Sequence, residues 1–258
     1  MSVPLLVKKT QMKDYFSRCL ELSAKVDKTR VPRHAAVIMD GNGRWARARG
    51  WKRFLGHENA REAVREAMRA SGEIGIEVLS LFAFSTENWA RPKEEVEFLF
   101  HLFERVLAEE VGEMNQNNVR LRFCGERERL PDWFVRRLDE CIELCRDNTG
   151  LILNLAVNYG GKQDILQAVN RLRELRVEDE SRVGEEEFAK YLLTGDLPQV
   201  DLLIRTSSEY RISNFFLWQT AYAELVFLKV LWPDFRREHL LEAVIEYQRR
   251  DRRFGNVV

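Results

Sequence analysis

Apolar residues are distributed along this chain in two alternating rhythms. Short unbroken runs, AAVIM (35–39), VLSLFAF (78–84), LILNLAV (151–157), DLLI (201–204) and ELVFL (224–228), predict buried strands, and VRLRFC (119–124) alternates at period two. Between them Ala60, Ala63, Val64, Ala67 and Met68 recur at helical spacing. So do Val96, Leu99, Phe100 and Phe103, and then Leu138, Ile142 and Cys145. Further helical sequence runs from about 162 to 193 and from about 237 to 250. Strands apolar on both faces, alternating with helices, imply an α/β fold with a central, mostly parallel sheet flanked by helices. The sequence contains no internal repeat and no low-complexity linker, so residues 31–258 read as one domain. Residues 1–30 stand apart as an N-terminal helical segment, with Leu5, Leu6, Phe16, Leu20 and Leu22 able to share one face.

Composition narrows the class. The 258 residues carry 41 basic and 41 acidic side chains, so no global field calls for nucleic acid. Apolar residues at 45% and charged residues at 32% describe a globular chain. No apolar run approaches the roughly 20 residues that span a bilayer, and the N-terminal apolar stretch is too short for a secretory signal. Cys19, Cys124, Cys141 and Cys145 lack zinc-site spacing and read as free buried thiols, which fits a cytoplasmic location. In residues 1–30 lysines and arginines outnumber acids, which leaves open a peripheral contact with anionic lipid; a helix packed on the domain is the simpler expectation.

Candidate chemistry collects at one end of the predicted sheet. DGNGRWAR (40–47), STENWAR (85–91), NYGG (158–161) and RTSSEYRISN (205–214) each follow the C-terminal end of a predicted strand. In open parallel sheets that edge is where ligands bind. Asp40 offers a hard oxygen suited to Mg²⁺. Gly41, Asn42 and Gly43 can turn their amides toward an anion, and Arg44, Arg47, Arg49, Lys52 and Arg53 follow without an intervening acid. Arg205 and Arg211 could grip a diphosphate through paired charge-assisted bonds, or Arg211 could simply pair with Glu209. Trp45 and Trp89 could be packing residues. Glu224, at the head of a predicted strand, becomes a metal ligand only if the fold brings it beside Asp40. The G-x-x-x-x-G-K-[ST] and G-x-G-x-x-G phosphate motifs are absent.

HAAVIMDGNGRWA, LFAFSTENWARP, RTSSEYRISNFFLWQTAYAEL and RRFG together resemble the undecaprenyl diphosphate synthases, bacterial cis-prenyltransferases, in order and spacing from about Pro32 to Gly255. The resemblance implies a homodimeric enzyme that condenses isopentenyl diphosphate onto an allylic diphosphate, with farnesyl diphosphate the expected primer. Its expected product is a long-chain polyprenyl diphosphate, undecaprenyl, for the lipid carrier of cell-wall synthesis. By the same resemblance Asp40 is the essential aspartate that positions Mg²⁺, and Gly41, Asn42, Gly43, Arg44, Arg53 and His57 hold the allylic diphosphate, with Trp45 beside them. Ser85, Thr86, Glu87 and Asn88 line the reacting centre, Asn88 helping to remove a proton. Trp89, Arg91 and Glu95 order a loop over the site. Arg205, Arg211, Ile212 and Ser213 hold the isopentenyl diphosphate, Glu224 is the second metal carboxylate, and Arg253 and Gly255 reach the partner subunit's site. A hydrophobic product tunnel is implied, and Ala83 resembles one of its small wall residues.

Two positions depart from the family pattern. Ser208 stands where glycine is common, and Tyr210 where some relatives carry histidine. Two other readings compete with the enzyme. One is a non-catalytic partner subunit of a heteromeric cis-prenyltransferase, against which the retained Asp40, Arg44, Asn88, Arg205, Arg211 and Glu224 argue. The other is a nucleotide- or nucleic-acid-binding module built on residues 44–53, which neutral charge and missing nucleotide motifs disfavour.

Overall fold

The computed structural model describes residues 5–175 and 182–250. In chain order the elements are α1 (Leu5–Lys25), β1 (His34–Ile38), α2 (Asn42–Arg47), α3 (Leu55–Glu58), α4 (Arg61–Ile74), β2 (Val78–Ser85), a 3₁₀ turn (Thr86–Ala90) and α5 (Lys93–Gln116). β3 (Arg120–Cys124), α6 (Asp132–Leu144), β4 (Ile152–Tyr159), α7 (Gly161–Leu175), α8 (Glu185–Ala189), β5 (Leu202–Arg205), β6 (Glu224–Phe227), a second 3₁₀ turn (Trp232–Asp234) and α9 (Arg237–Gln248) follow. Six strands pair in the order β3-β4-β2-β1-β5-β6, every neighbouring pair parallel. No helix among the described residues is long and apolar enough to cross a membrane.

Period-two alternation on strands buried on both sides divides the core in two. Ala35, Val37, Leu79, Leu81, Leu202 and Ile204 face the larger cluster, while Ala36, Ile38 and Leu203 face a smaller one around Tyr159, Phe215 and Phe216. The helices supply matching stripes. α4 buries Ala63, Ala67, Met68, Ala70, Ser71 and Ile74, and ends at Gly75, whose φ of 94° closes the helix in a left-handed cap. α5 starts after Pro92, with Glu94 and Glu95 in its first turn, where acids suit the helix dipole. α1 lies against α9, and Tyr15 donates a hydrogen bond to Glu66 of α4. All four cysteines are buried and free.

The sequence rhythm locates every strand to within about two residues. Within the stretch expected to be helical from about 162 to 193, the described residues form α7 as far as Leu175 and a separate short helix, Glu185–Ala189, with 182–184 not helical. Part of the intervening segment lies outside the described residues.

One buried polar cluster crosses the sheet under the smaller core. The His34 ring sits 2.8 Å from the Pro198 carbonyl through Nδ1 and 2.7 Å from the Ser80 hydroxyl through Nε2, and Asn154 Nδ2 donates to that hydroxyl at 2.9 Å. Burial drives the His34 pKa down to about 4, so the folded protein keeps the ring neutral. An unfolded chain protonates it near the ordinary value. Its stabilising contribution is therefore complete above about pH 6.5 and is lost as pH falls toward 4. Urea unfolding is expected to show a loss on the order of 1–2 kcal/mol between pH 7 and pH 5, with a shallower slope in His34→Gln. An equal slope in that variant would remove His34 as the cause.

Candidate active site

The chain runs from β1 outward to β2, β3 and β4 on one side and from β5 to β6 on the other. The order thus reverses between β1 and β5, and the loops leaving their C-terminal ends face one crevice. Asp40 follows β1, and Arg205 closes β5. Arg205 is 3% exposed. Its Nη2 donates to Asp40 Oδ2 at 2.9 Å, and its Nη1 donates to Ser213 Oγ at 2.7 Å and to the Arg211 carbonyl. One guanidinium therefore fixes the aspartate and folds the 205–214 loop back over itself. A residue with no role in the sequence reading completes the staple. The fully buried Thr206 hydroxyl accepts from the Asp40 N–H at 2.9 Å and donates to the Asp40 carbonyl at 2.6 Å. Its place directly after the strand-ending arginine in RTSSEY was the only available signal.

The first loop is as tight as its glycines suggested. Gly41 has φ 107°, and a Cβ there would stand 2.9 Å from the Leu231 side chain. A Cβ on Gly56 would sit 1.9 Å from the Asn42 carbonyl oxygen, so α3 can approach α2 only through glycine. The Gly41 N–H donates to Asp40 Oδ1 at 2.6 Å. Arg44 Nη2 lies 3.5 Å from Asp40 Oδ2, and its Nη1 meets Glu209 at 3.0 Å and the Ser207 carbonyl at 3.0 Å. Burial alone would raise the Asp40 pKa. The Arg205 bond and charge, the Gly41 N–H and Arg44 outweigh it and hold the carboxyl below its usual range.

Around this pair, His57 is half-buried and its pKa falls to about 3, first through desolvation and then through the charges of Arg91 and Arg53. It presents a neutral ring. Arg91 and Arg53 share Glu95, at 3.3 and 3.8 Å. Ser85 caps the 3₁₀ turn, and its N–H donates to Asn88 Oδ1 at 3.2 Å, which leaves the Asn88 amide nitrogen available to the cavity that both residues line. Asn214 joins two loops: its amide donates to Glu87 at 2.9 Å and its oxygen accepts the Lys162 N–H at 2.9 Å.

Below the polar mouth lies a cavity of about 680 Å³. Asp40, Asn42, His57, Ser85, Glu87, Asn88, Arg91, Arg205, Arg211 and Ser213 line its polar end, and its depth is walled by apolar residues of α4, α5 and the sheet, Ala83 among them. Gly41, Gly43, Arg44, Arg53, Thr86 and Ile212 do not form the cavity wall, and Ile212 packs against the smaller core.

Three expected site residues lie elsewhere. Trp45 is buried against the second 3₁₀ turn, donating to Asp234 at 2.8 Å, with the Arg49 guanidinium 3.7 Å above its ring. Trp89 stacks on Phe100 and donates to Asn158 Oδ1 at 2.7 Å. Both are packing posts that brace the loops and neither faces the cavity. Glu224 is the larger correction. It aligns with Leu202 and, through it, with Ala35, at the opposite edge of the sheet from Asp40. Strand β1 runs three residues beyond the Ala35 level, roughly 10 Å at the strand rise, before turning to Asp40, two strands across from Glu224, and Glu224 is held by Arg250 at 2.9 Å. Within one protomer it shares no metal with Asp40. Arg253 and Gly255 lie outside the described residues.

The 205–216 segment carries unusual backbone geometry. Ser207, Ser208, Ser213, Asn214 and Phe216 all have positive φ, between 48° and 77°. Ser208, at φ 57°, adopts the conformation its glycine-like position implies, which disfavours any side chain. Ser208→Gly is expected to stabilise the protein by about 0.5–1 kcal/mol, raising Tm by roughly 2–3 °C. A lower Tm would show that the Ser208 side chain contributes more than its strain costs.

The comparisons with known proteins agree with this geometry. Residues 38–255 match the Prenyltransf family model of undecaprenyl diphosphate synthase. A ditrans,polycis-undecaprenyl-diphosphate synthase of Vibrio vulnificus, named as (2E,6E)-farnesyl-diphosphate specific, is 49% identical over 231 residues, covering 87% of this chain and 91% of that protein. An isoprenyl transferase of Bacillus cereus is 46% identical over 239 residues, covering 92% and 93%. The crystal structure of lavandulyl diphosphate synthase from Lavandula x intermedia, in complex with dimethylallyl diphosphate, superposes with a TM-score of 0.84 at 34% identity, covering 88% of this chain and 99% of that one. A six-stranded parallel sheet with Asp40 and Arg205 paired at its switch point thus coincides with family-wide sequence similarity, and this chain belongs to the undecaprenyl diphosphate synthase family of prenyltransferases.

Proposed function

We propose that this chain is a Mg²⁺-dependent cis-prenyltransferase that adds isopentenyl diphosphate to an allylic diphosphate, farnesyl diphosphate being the primer, and builds an undecaprenyl chain. The observation that carries this reading is the Asp40–Arg205 pair set at the mouth of a deep apolar cavity. An anionic head and an apolar tail on one molecule match those two environments.

The allylic diphosphate lies against the Gly41–Gly43 amides, Arg44, Arg53 and His57, with its chain in the cavity, which serves as the product tunnel. Arg205, Arg211 and Ser213 hold the isopentenyl diphosphate. The allylic C–O bond breaks with its electron pair leaving on diphosphate. The isopentenyl double bond supplies the pair for the new C–C bond, and the proton then released is accepted near Asn88. Guanidinium groups and aligned amides stabilise the departing charge without reorganising. The neutral His57 ring adds a donor and no second positive charge.

The donor set suits magnesium bound largely through substrate. Asp40 is an ionised hard-oxygen donor, and Asn42, two residues on in the same loop, has a buried Oδ1 without a hydrogen-bond partner. Among the described residues no group of three metal-binding side chains forms a closed cage. Mg²⁺ characteristically takes one or two carboxylates and fills its shell with phosphate oxygens and water. When bound it would neutralise the leaving diphosphate. Homodimer formation, with Arg253 and Gly255 reaching the partner's site, cytoplasmic residence and peripheral membrane contact for product delivery complete the proposal.

Purified protein with Mg²⁺, farnesyl diphosphate and labelled isopentenyl diphosphate is expected to yield butanol-soluble polyprenyl product. EDTA is expected to abolish that product and added Mg²⁺ to restore it. Undiminished activity in EDTA would remove the metal, and absence of any condensation would remove the enzyme.

A further inference from the structure

NYGG (158–161), at the C-terminal end of β4, carries no charged group that could hold a substrate. It is where three loops meet. A Cβ on Gly160 would stand 2.3 Å from Gln163 Oε1, 2.7 Å from Thr86 Oγ1 and 2.9 Å from Asn214 Nδ2. Glycine lets the loops after β2 and β5 close this tightly over the end of β4. Asn214 makes the bridge between them. Its Nδ2 donates to Glu87 at 2.9 Å and to Gln163 Oε1 at 3.3 Å, its Oδ1 accepts the Lys162 N–H at 2.9 Å, and its carbonyl accepts the Gly161 N–H at 2.7 Å. Among the described residues the Glu87 bond is the only hydrogen bond that joins 85–91 to 205–214.

The two ends of this bridge are held differently. Asn214 is followed by Phe215 and Phe216, both fully buried and stacked with ring centroids 4.1 Å apart, and Ser213 before it is held by Arg205. Asn214 itself stands at φ 61°, a left-handed conformation that asparagine tolerates better than most side chains. Glycine would adopt it with less strain, so the amide is what asparagine adds there. Glu87 by contrast is exposed on the 3₁₀ turn, next to Asn88. Desolvation alone would raise its pKa; the Asn214 amide, its own backbone N–H and the Ser85 and Thr86 hydroxyls hold it below the usual range, so the acceptor of the bridge is a carboxylate.

Ser213, next to Asn214, belongs to the isopentenyl diphosphate grip, and Asn88, next to Glu87, to the reacting centre; both line the cavity. The distance between these two loops therefore sets the distance between the two substrates. Condensation needs the isopentenyl double bond aligned on the allylic carbon at near contact, and a misplacement of about 1 Å costs on the order of 100-fold in rate. We propose that Asn214 is a positioning residue, which acts through Glu87 to lock the reacting-centre turn onto the isopentenyl diphosphate loop over Gly160. This rests on the prenyltransferase reading above. Asn214 then contributes to the rate of C–C bond formation and not to the hold on either diphosphate.

Two variants and a swap test it. Asn214→Asp removes the donor, sets a second carboxylate against Glu87 and keeps the acceptor for the Lys162 N–H. Asn214→Gly keeps the backbone conformation and removes the amide outright. Each is assayed beside the parent with Mg²⁺, farnesyl diphosphate and labelled isopentenyl diphosphate for the single-turnover rate of the first condensation, KM for both substrates and Tm. Each is expected to lose roughly 100-fold in rate, with both KM values within about threefold of the parent and Tm within about 3 °C, since one exposed hydrogen bond adds little stability. Glu87→Gln in the Asn214→Asp background rebuilds the bridge in reverse, the new amide donating to the new carboxylate, and is expected to recover about tenfold or more of the lost rate. If Asn214→Asp does not fold, Asn214→Gly carries the test. Parental rates in the single variants would overturn the proposal. So would a loss confined to KM for isopentenyl diphosphate, which would place Asn214 in the grip, or a double variant no faster than Asn214→Asp. No condensation by the parent would instead refute the enzymatic reading.

Discussion

Asp40→Ala is expected to reduce condensation by roughly 10³-fold, the scale on which metal binding and charge stabilisation act together in a transition state. The side chain does two things at once. It is the one carboxylate at the cavity mouth placed beside both Arg205 and Arg44, and it anchors the guanidinium that shapes the 205–214 loop. Asp40→Asn separates these roles. The amide keeps the volume and its one oxygen can still accept from Arg205, at the cost of the Gly41 N–H bond to the other oxygen, so the fold and isopentenyl diphosphate binding persist while turnover collapses. Steady-state kinetics with a thermal melt check this outcome; turnover near that of the parent in Asp40→Ala would end the assignment. The depressed Asp40 pKa adds a sign. A carboxylate held below its usual range stays ionised until the medium is more acid than that range, so the acid limb set by this group lies below the ordinary carboxylate pKa. Its pairing also contributes stability above the unfolded pKa, and that contribution is lost as pH falls through the folded one.

Arg205→Lys is expected to weaken isopentenyl diphosphate use by roughly 100-fold, corresponding to about 3 kcal/mol for breaking a buried, multiply bonded ion pair. A guanidinium reaches Asp40 with one nitrogen while the other holds Ser213 and the Arg211 carbonyl. An ammonium has one nitrogen and cannot span those partners. The loop it releases already carries four residues at positive φ, Ser207, Ser208, Ser213 and Asn214, so its shape depends on such outside restraint. KM for isopentenyl diphosphate should rise more than KM for the allylic primer, because Arg211 and Ser213 move with the loop whereas the Gly41–Arg44 segment is held separately by Gly41, Thr206 and Glu209. Equal changes in both constants would show that Arg205 acts on the whole site through Asp40.

Much of this arrangement was legible before any coordinates. Buried strands such as AAVIM and DLLI are local signals, because continuous apolar β-branched sequence has few alternatives to a two-sided sheet. DGNG and RTSSEYRISN advertised themselves by placing glycine and arginine at strand ends, whereas the left-handed backbone of Ser208, at a position where the family often has glycine, was settled only by the fold. Trp45 and Trp89 read from the residues as packing, and only the family resemblance set them at the site; their bonds to Asp234 and Asn158 match the packing reading. Thr206 carried no chemical signal of its own.

By itself, then, the sequence determined which segments become strands, which loops carry anion-binding chemistry and which family the motifs belong to, since each depends on residues adjacent in the chain. Tertiary structure alone decided which loops meet. The reversal of strand order between β1 and β5 sets Asp40 against Arg205, 165 residues apart in the chain. The same parallel register carries Glu224 to the far edge, because a residue at the start of a strand and one past the end of its neighbour cannot lie level.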